Sequence, residues 1–148
     1  EKKNVDPKRI IFSNKVPISE HLARIKYADL FLDTFPYNAH TSCSDSIWAG
    51  LPLVTIQGES FQSRVASSLL KTSDLKDLIA KNEKEYVDIA VNIAKNKNHL
   101  NHLKNKLINS RDANPLFDNK SFINNIEKAY SVVLERYFRK EMPEDIYL

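Results

Sequence analysis

Glycine is nearly missing from this chain. Only Gly50 and Gly58 occur in 148 residues, which excludes both a G-x-G-x-x-G dinucleotide loop and a Walker-type phosphate loop. Any phosphate bound here must be held another way. Cysteine is scarcer still: Cys43 stands alone, so no intrachain disulfide can form, and the usage fits a reducing, cytoplasmic compartment. No apolar run approaches the length of a membrane span, and none follows the amino terminus as a signal peptide would. The first residue is not Met, so the chain reads as a piece of a longer protein. Neither sign of charge dominates. The 22 basic and 19 acidic residues give a net charge of +3 and are interspersed. A nucleic-acid partner would call for a basic stripe with interleaved aromatics, so none is expected. What remains is ordinary globular material, 42% hydrophobic and 28% charged, long enough for one domain with a proper core.

The first third alternates strand and helix signals. Arg9 to Ser13 reads as a short buried strand. Pro17 suits a helix start, and Ile18, Leu22 and Ile25 recur on one helical face. Ala28 to Asp33 reads as a second strand, and Phe35 to His40 as a loop. Thr41 to Trp48 is a short helix ended by Gly50. Leu53 to Ile56 is a third strand, and Gln62 to Lys71 a further helix with Val65, Leu69 and Leu70 inward. Such an order points to an α/β fold with a parallel sheet, whose ligands sit at the carboxyl ends of the strands. Leu75 to Ala80 is a short strand or a helical turn. Helical patterns then cover Glu83 to Lys95, His99 to Ser110 and Phe122 to Phe138. Glu141 to Asp145 reads as a frayed tail.

The densest group of small polar residues is His40-Thr41-Ser42-Cys43-Ser44-Asp45, between a strand end and a helix start. A helix N-terminus offers free N–H groups and a partial positive charge, so it can take phosphate without a glycine loop. Thr41, Ser42 and His40 can add side-chain donors. Asp45 would meet a ribose hydroxyl rather than phosphate. Simple capping is the other reading, because Ser42-x-x-Asp45 matches a capping box. His21 and Arg24 lie three apart on the helix after the first strand. They are either donors to a base or phosphate, or part of a solvated face. Cys43 reads as a small packed residue, Trp48 as core, and Arg64 as a local salt-bridge partner. His99 and His102 lack further ligands at a matching distance, so no metal site is expected. No carboxylate pair suggests glycoside hydrolysis.

In order, Glu20-His21-Leu22-x-Arg24, Ala28-Asp29-Leu30-x-Leu32-Asp33-Thr34 and Asn38-x-His40-Thr41-Ser42-x-x-Asp45-x-x-Trp48-Ala49-Gly50 lead into Leu51-Pro52-Leu53-Val54-Thr55. Gly58-Glu59-Ser60-Phe61-x-Ser63-Arg64-Val65-Ala66 and Leu78-Ile79-Ala80-Lys81 follow. This succession resembles the C-terminal catalytic lobe of the O-linked N-acetylglucosamine transferase family, whose Spindly-type and bacterial relatives share much of it. The match is specific from about Arg9 to Ala94. The resemblance implies a two-lobed glycosyltransferase of the GT-B type with Rossmann-like lobes. Residues 1–148 would be the nucleotide-sugar-binding lobe, divided into a core at 1–80 and a helical extension at 81–148. His40, Thr41 and Ser42 match positions around the donor diphosphate. Asp45 matches the ribose-holding carboxylate, His21 and Arg24 match positions near the uracil, and the backbone around Val16 matches the stretch that reads the base edge. On that footing ligand binding is favoured over capping and over a solvated face.

The sequence departs from the family in places. Ser42 stands where Thr is frequent, and Ile18 where animal members carry a Lys near the ribose. The family's diphosphate-directed lysine and its candidate bases lie upstream, so no catalytic residue is expected in this chain. The N-terminal lobe and tetratricopeptide repeats would also lie upstream. The implied reaction transfers a sugar from a UDP-GlcNAc-like donor to Ser or Thr of an acceptor protein, without metal or other cofactor. A non-catalytic module that binds nucleotide sugar or a partner is the competing reading.

Overall fold

The computed structural model describes residues 5–147. The opening Glu1-Lys2-Lys3-Asn4, read above as lacking a signal segment, lies outside the described residues.

Leu53-Val54-Thr55-Ile56 forms the central strand β2, with every residue buried. A strand covered on both faces needs such a continuous apolar and β-branched run. It pairs in parallel with β1 (Phe31–Leu32) on one edge and β3 (Ile79–Ala80) on the other. The registers are Phe31 with Leu53 and Thr55 with Ile79, so the two outer strands meet opposite halves of β2. Helix α1 (Ile18–Ile25) precedes β1, α2 (Thr41–Ala49) joins β1 to β2, and α3 (Val65–Thr72) lies between β2 and β3. After the sheet come α4 (Glu83–Lys95), α5 (Lys97–Ser110) and α6 (Asn119–Arg139). Asn82, Asn96 and Asp118 cap the last three by accepting from Glu85, His99 and Ser121 amides, as short polar side chains do at helix starts. The core joins Ile47, Leu53, Val54, Leu70 and Leu78 to Ile93, Leu103 and Leu107. Thus α4 and α5 pack with the sheet, whereas α6 buries no residue.

Several expectations are corrected. Residues 9–13 are not a buried strand: Pro7–Arg9 is a 3-10 turn, and Ile10, Ile11 and Phe12 follow it 62%, 86% and 92% exposed. Their apolarity satisfies the strand pattern, but no described strand pairs with them. The strand expected from Ala28 shrinks to two residues, because the turn leaving α1 takes up Lys26 to Asp29. The helix expected from Gln62 begins as a 3-10 turn at Phe61–Ser63, and its buried residues are Ala66, Ser67 and Leu70. Trp48 is 39% exposed rather than core, with Phe117 edge-on at 4.9 Å and the Arg111 guanidinium 4.9 Å from its ring. Arg64 makes no ion pair among the described residues. The tail is not frayed. Lys140 turns left-handed, the Glu141 amide returns to the Arg136 carbonyl, and Arg136 pairs with Glu144.

Gly50 ends α2 at φ +82, and a Cβ there would come within 2.7 Å of Ile108 Cγ1 on α5. Gly50→Ala is therefore expected to destabilise by about 1–2 kcal/mol from the left-handed backbone alone, with the Ile108 crowding added. Denaturant melts check this as a lower midpoint at unchanged slope.

Candidate functional site

The cleft lies where parallel α/β sheets present their ligands, beyond the carboxyl end of a strand. After β1 the chain forms the loop 34–40, which contains a cis Phe35–Pro36 peptide. The Thr34 hydroxyl donates to the Tyr37 carbonyl at 2.6 Å, and buried Asn38 donates through Nδ2 to the Thr34 carbonyl at 3.1 Å. The Asn38 amide donates to the Gln62 carbonyl at 3.1 Å, tying this loop to the one after β2. A cleft of about 580 Å³ opens there, lined by Asp33, Thr34, Tyr37, Asn38, His40, Thr41, Ser42 and Asp45, with Phe31 and Ala39 beneath.

His40, not Ser42, is the N-cap of α2, and no side chain caps the helix. The His40 carbonyl accepts from the Cys43 amide at 3.0 Å and the Ser44 amide at 3.2 Å. The amides of Thr41 and Ser42 find no acceptor among the described residues. Their carbonyls are occupied, by the hydroxyls of Ser44 and Ser46 at 2.8 Å each. The capping box is therefore not made, and the helix start is left open. The His40 ring stacks on Tyr37 at 5.2 Å and meets Phe61 edge-on at 6.0 Å. Its Nε2 is buried without a hydrogen-bond partner among the described residues. Asp45 lines the cleft half-buried and makes no ion pair among the described residues.

Of the residues singled out in the sequence, the cleft brings together His40, Thr41, Ser42 and Asp45. Val16, His21 and Arg24 stand outside its lining, on α1 and the segment before it, and α1 packs against α2. His21 and Arg24 are half-buried rather than solvated. Arg24 donates to His21 Nδ1 at 3.1 Å and to the Asn14 carbonyl at 2.8 Å, so the pair holds the stretch that contains Val16. Sequence reasoning missed Asp33, Tyr37 and Asn38; the position of Asp33 at a strand's carboxyl end was the available signal. No group of three or more His, Cys, Asp and Glu side chains suited to a metal ion occurs among the described residues. No described helix is long and apolar enough to cross a membrane.

Cys43 lies fully buried in the first turn of α2. Burial, with a smaller contribution from the Asp33 charge, pushes its thiol from 9.0 up to about 12. The folded chain should therefore resist alkylation near neutral pH and react only when denatured. The unfolded chain sheds this proton first, so the stability this group lends the fold is fully present below pH 9.0 and is lost as pH rises toward about 12. Rapid labelling of the native protein would contradict the packing.

The profile of Glycosyl transferase family 41 matches residues 1–126. The chain is 38% identical over 143 residues to the UDP-N-acetylglucosamine–peptide N-acetylglucosaminyltransferase of Caenorhabditis elegans, covering 97% of this chain and 12% of that protein. It is 36% identical to the probable enzyme of that name designated SEC in Arabidopsis thaliana, over 95% of this chain and 14% of the relative. It is 33% identical to the probable SPINDLY enzyme of Solanum lycopersicum, over 97% and 16%. A solved mutant of the Thermobaculum terrenum O-GlcNAc transferase superposes with a TM-score of 0.74 at 32% identity, over 78% of this chain and 22% of that one. The chain thus spans between 12% and 16% of these three relatives' length. With a parallel sheet flanked by helices, an open helix start at its carboxyl end and these likenesses, the chain belongs to glycosyl transferase family 41.

Proposed function

We propose that this chain supplies the donor-binding half of a protein O-glycosyltransferase, which moves a sugar from a UDP-GlcNAc-like nucleotide to a Ser or Thr of an acceptor protein. The observation that carries the reading is the uncapped start of α2. Two free amides, two hydroxyls and the His40 ring converge on one cleft. In the transfer, negative charge builds on the leaving diphosphate. Donors fixed in advance stabilise that charge without reorganising. Thr41 and Ser42 would hold the diphosphate with His40, and Asp45 would accept from the ribose. His21, Arg24 and the Val16 backbone would meet the base. The reaction would run without metal, in the cytoplasm. The N-terminal lobe and tetratricopeptide repeats would belong to the rest of the protein.

A second reading, a non-catalytic module that binds nucleotide sugar, draws on one feature. The described lining holds Asp33 and Asp45 but no Lys or Arg. An upstream lobe that aims a basic residue at the phosphates favours the enzyme.

The direct test is a structure of the full-length protein with uridine diphosphate. Phosphate oxygens are expected within hydrogen-bond reach of the Thr41 and Ser42 amides. Those amides occupied by the protein's own side chains, with the nucleotide elsewhere, would end the reading.

A further inference from the structure

Asp33 follows β1 and is only 7% exposed, yet it lines the cleft meant for an anion. A carboxylate there repels a diphosphate, so it is not placed to hold one, and its lone pairs are committed to the protein instead. Oδ1 accepts from the Thr34 amide at 2.8 Å and the Ala39 amide at 2.7 Å. Oδ2 accepts from the hydroxyl of Thr55 on β2 at 2.6 Å. The Asp33 carbonyl accepts from the Tyr86 hydroxyl on α4 at 2.9 Å. One side chain thus closes the loop 34–39 upon itself and bolts it to the central strand.

We infer that Asp33 is the positioning residue of this site: by pinning the Ala39 amide it sets where His40 and the first amides of α2 stand, without itself touching the ligand. The inference rests on the diphosphate reading given above. Ala39 immediately precedes His40, and α2 begins at Thr41, so little chain separates the pinned amide from the donors. The Asp33 charge adds to burial in keeping the Cys43 thiol and the Tyr86 phenol protonated.

The geometry separates positioning from direct contact. In Asp33→Asn the remaining oxygen can still accept from both backbone amides. The new NH2 can donate to Thr55 Oγ1, whose own proton has the Ile56 carbonyl 3.5 Å away. Asp33→Ala leaves both amides without an acceptor. In the full-length protein, Asp33→Ala is expected to weaken uridine diphosphate binding about tenfold or more and to speed hydrogen exchange across residues 34–42 by a similar factor. Peptides from β2 and α5 should exchange unchanged. Asp33→Asn should stay within about threefold of the parent in both measurements. Should Asp33→Ala fail to fold, Thr55→Val keeps both amide bonds but frees the carboxylate from β2, with an expected loss of about fivefold or more in binding.

Asp33→Asn losing as much as Asp33→Ala would make the carboxylate a direct ligand and overturn the inference. So would unchanged binding and exchange in Asp33→Ala, or unchanged binding in Thr55→Val where that variant stands in. A parent protein that does not bind uridine diphosphate would sink the diphosphate reading instead, and the exchange measurements would still decide whether Asp33 pins the loop.

Discussion

Replacing His40 with alanine in the full-length protein is expected to lower the turnover of sugar transfer by about 10²–10³, the usual cost of losing one pre-set donor to a developing oxyanion. The ring is held between Tyr37 and Phe61, so it needs little reorganisation as charge grows on the leaving phosphate. Its Nε2 has no partner among the described residues, and a buried polar atom left so is an unfilled capacity. Ser42→Ala should cost less, about tenfold, because the Ser42 amide remains when the hydroxyl is gone. Neither side chain belongs to the hydrophobic core cluster, so thermal melts of both variants should match the parent. Steady-state kinetics with varied donor check the pair. Undiminished turnover in both variants would remove the phosphate assignment.

The 148-residue chain taken alone is expected to transfer no sugar at all. Its cleft offers neutral donors and one imidazole, set against the carboxylates of Asp33 and Asp45. A departing nucleoside diphosphate carries more negative charge than those groups can compensate in an open, solvated cleft, where each contact is weakened by water. On the reading proposed above, the base for the acceptor hydroxyl belongs to the upstream part of the protein. Weak nucleotide binding without transfer is the expected result, read with a radiolabelled donor and a peptide acceptor. Sugar appearing on the peptide would mean that sufficient catalytic groups lie within these residues.

Much of the fold was legible locally. The boundaries of β2 and α4 fall where the apolar pattern placed them, and Gly50 stops α2 as a left-handed cap. These features depend on neighbours a few residues away, which a sequence displays directly. The site was legible in part. The polar run from His40 to Asp45 marked the cleft, but spacing alone admitted a capping box that the structure does not contain. The N-cap fell on His40, two residues earlier, because the pinned loop sets where the helix begins.

Scarce glycine, a lone cysteine and an ordered set of motifs settled from the sequence alone that phosphate could not sit in a glycine loop, and which family the chain resembles. Tertiary structure decided the rest. It left Ile10 to Phe12 exposed, drew Trp48 out of the core, folded the tail back through Arg136 and Glu144, and made Asp33 the anchor of the loop. The reason is common to all four. A residue's pattern states what it could pair with or bury against, and only the folded chain determines whether that partner stands beside it.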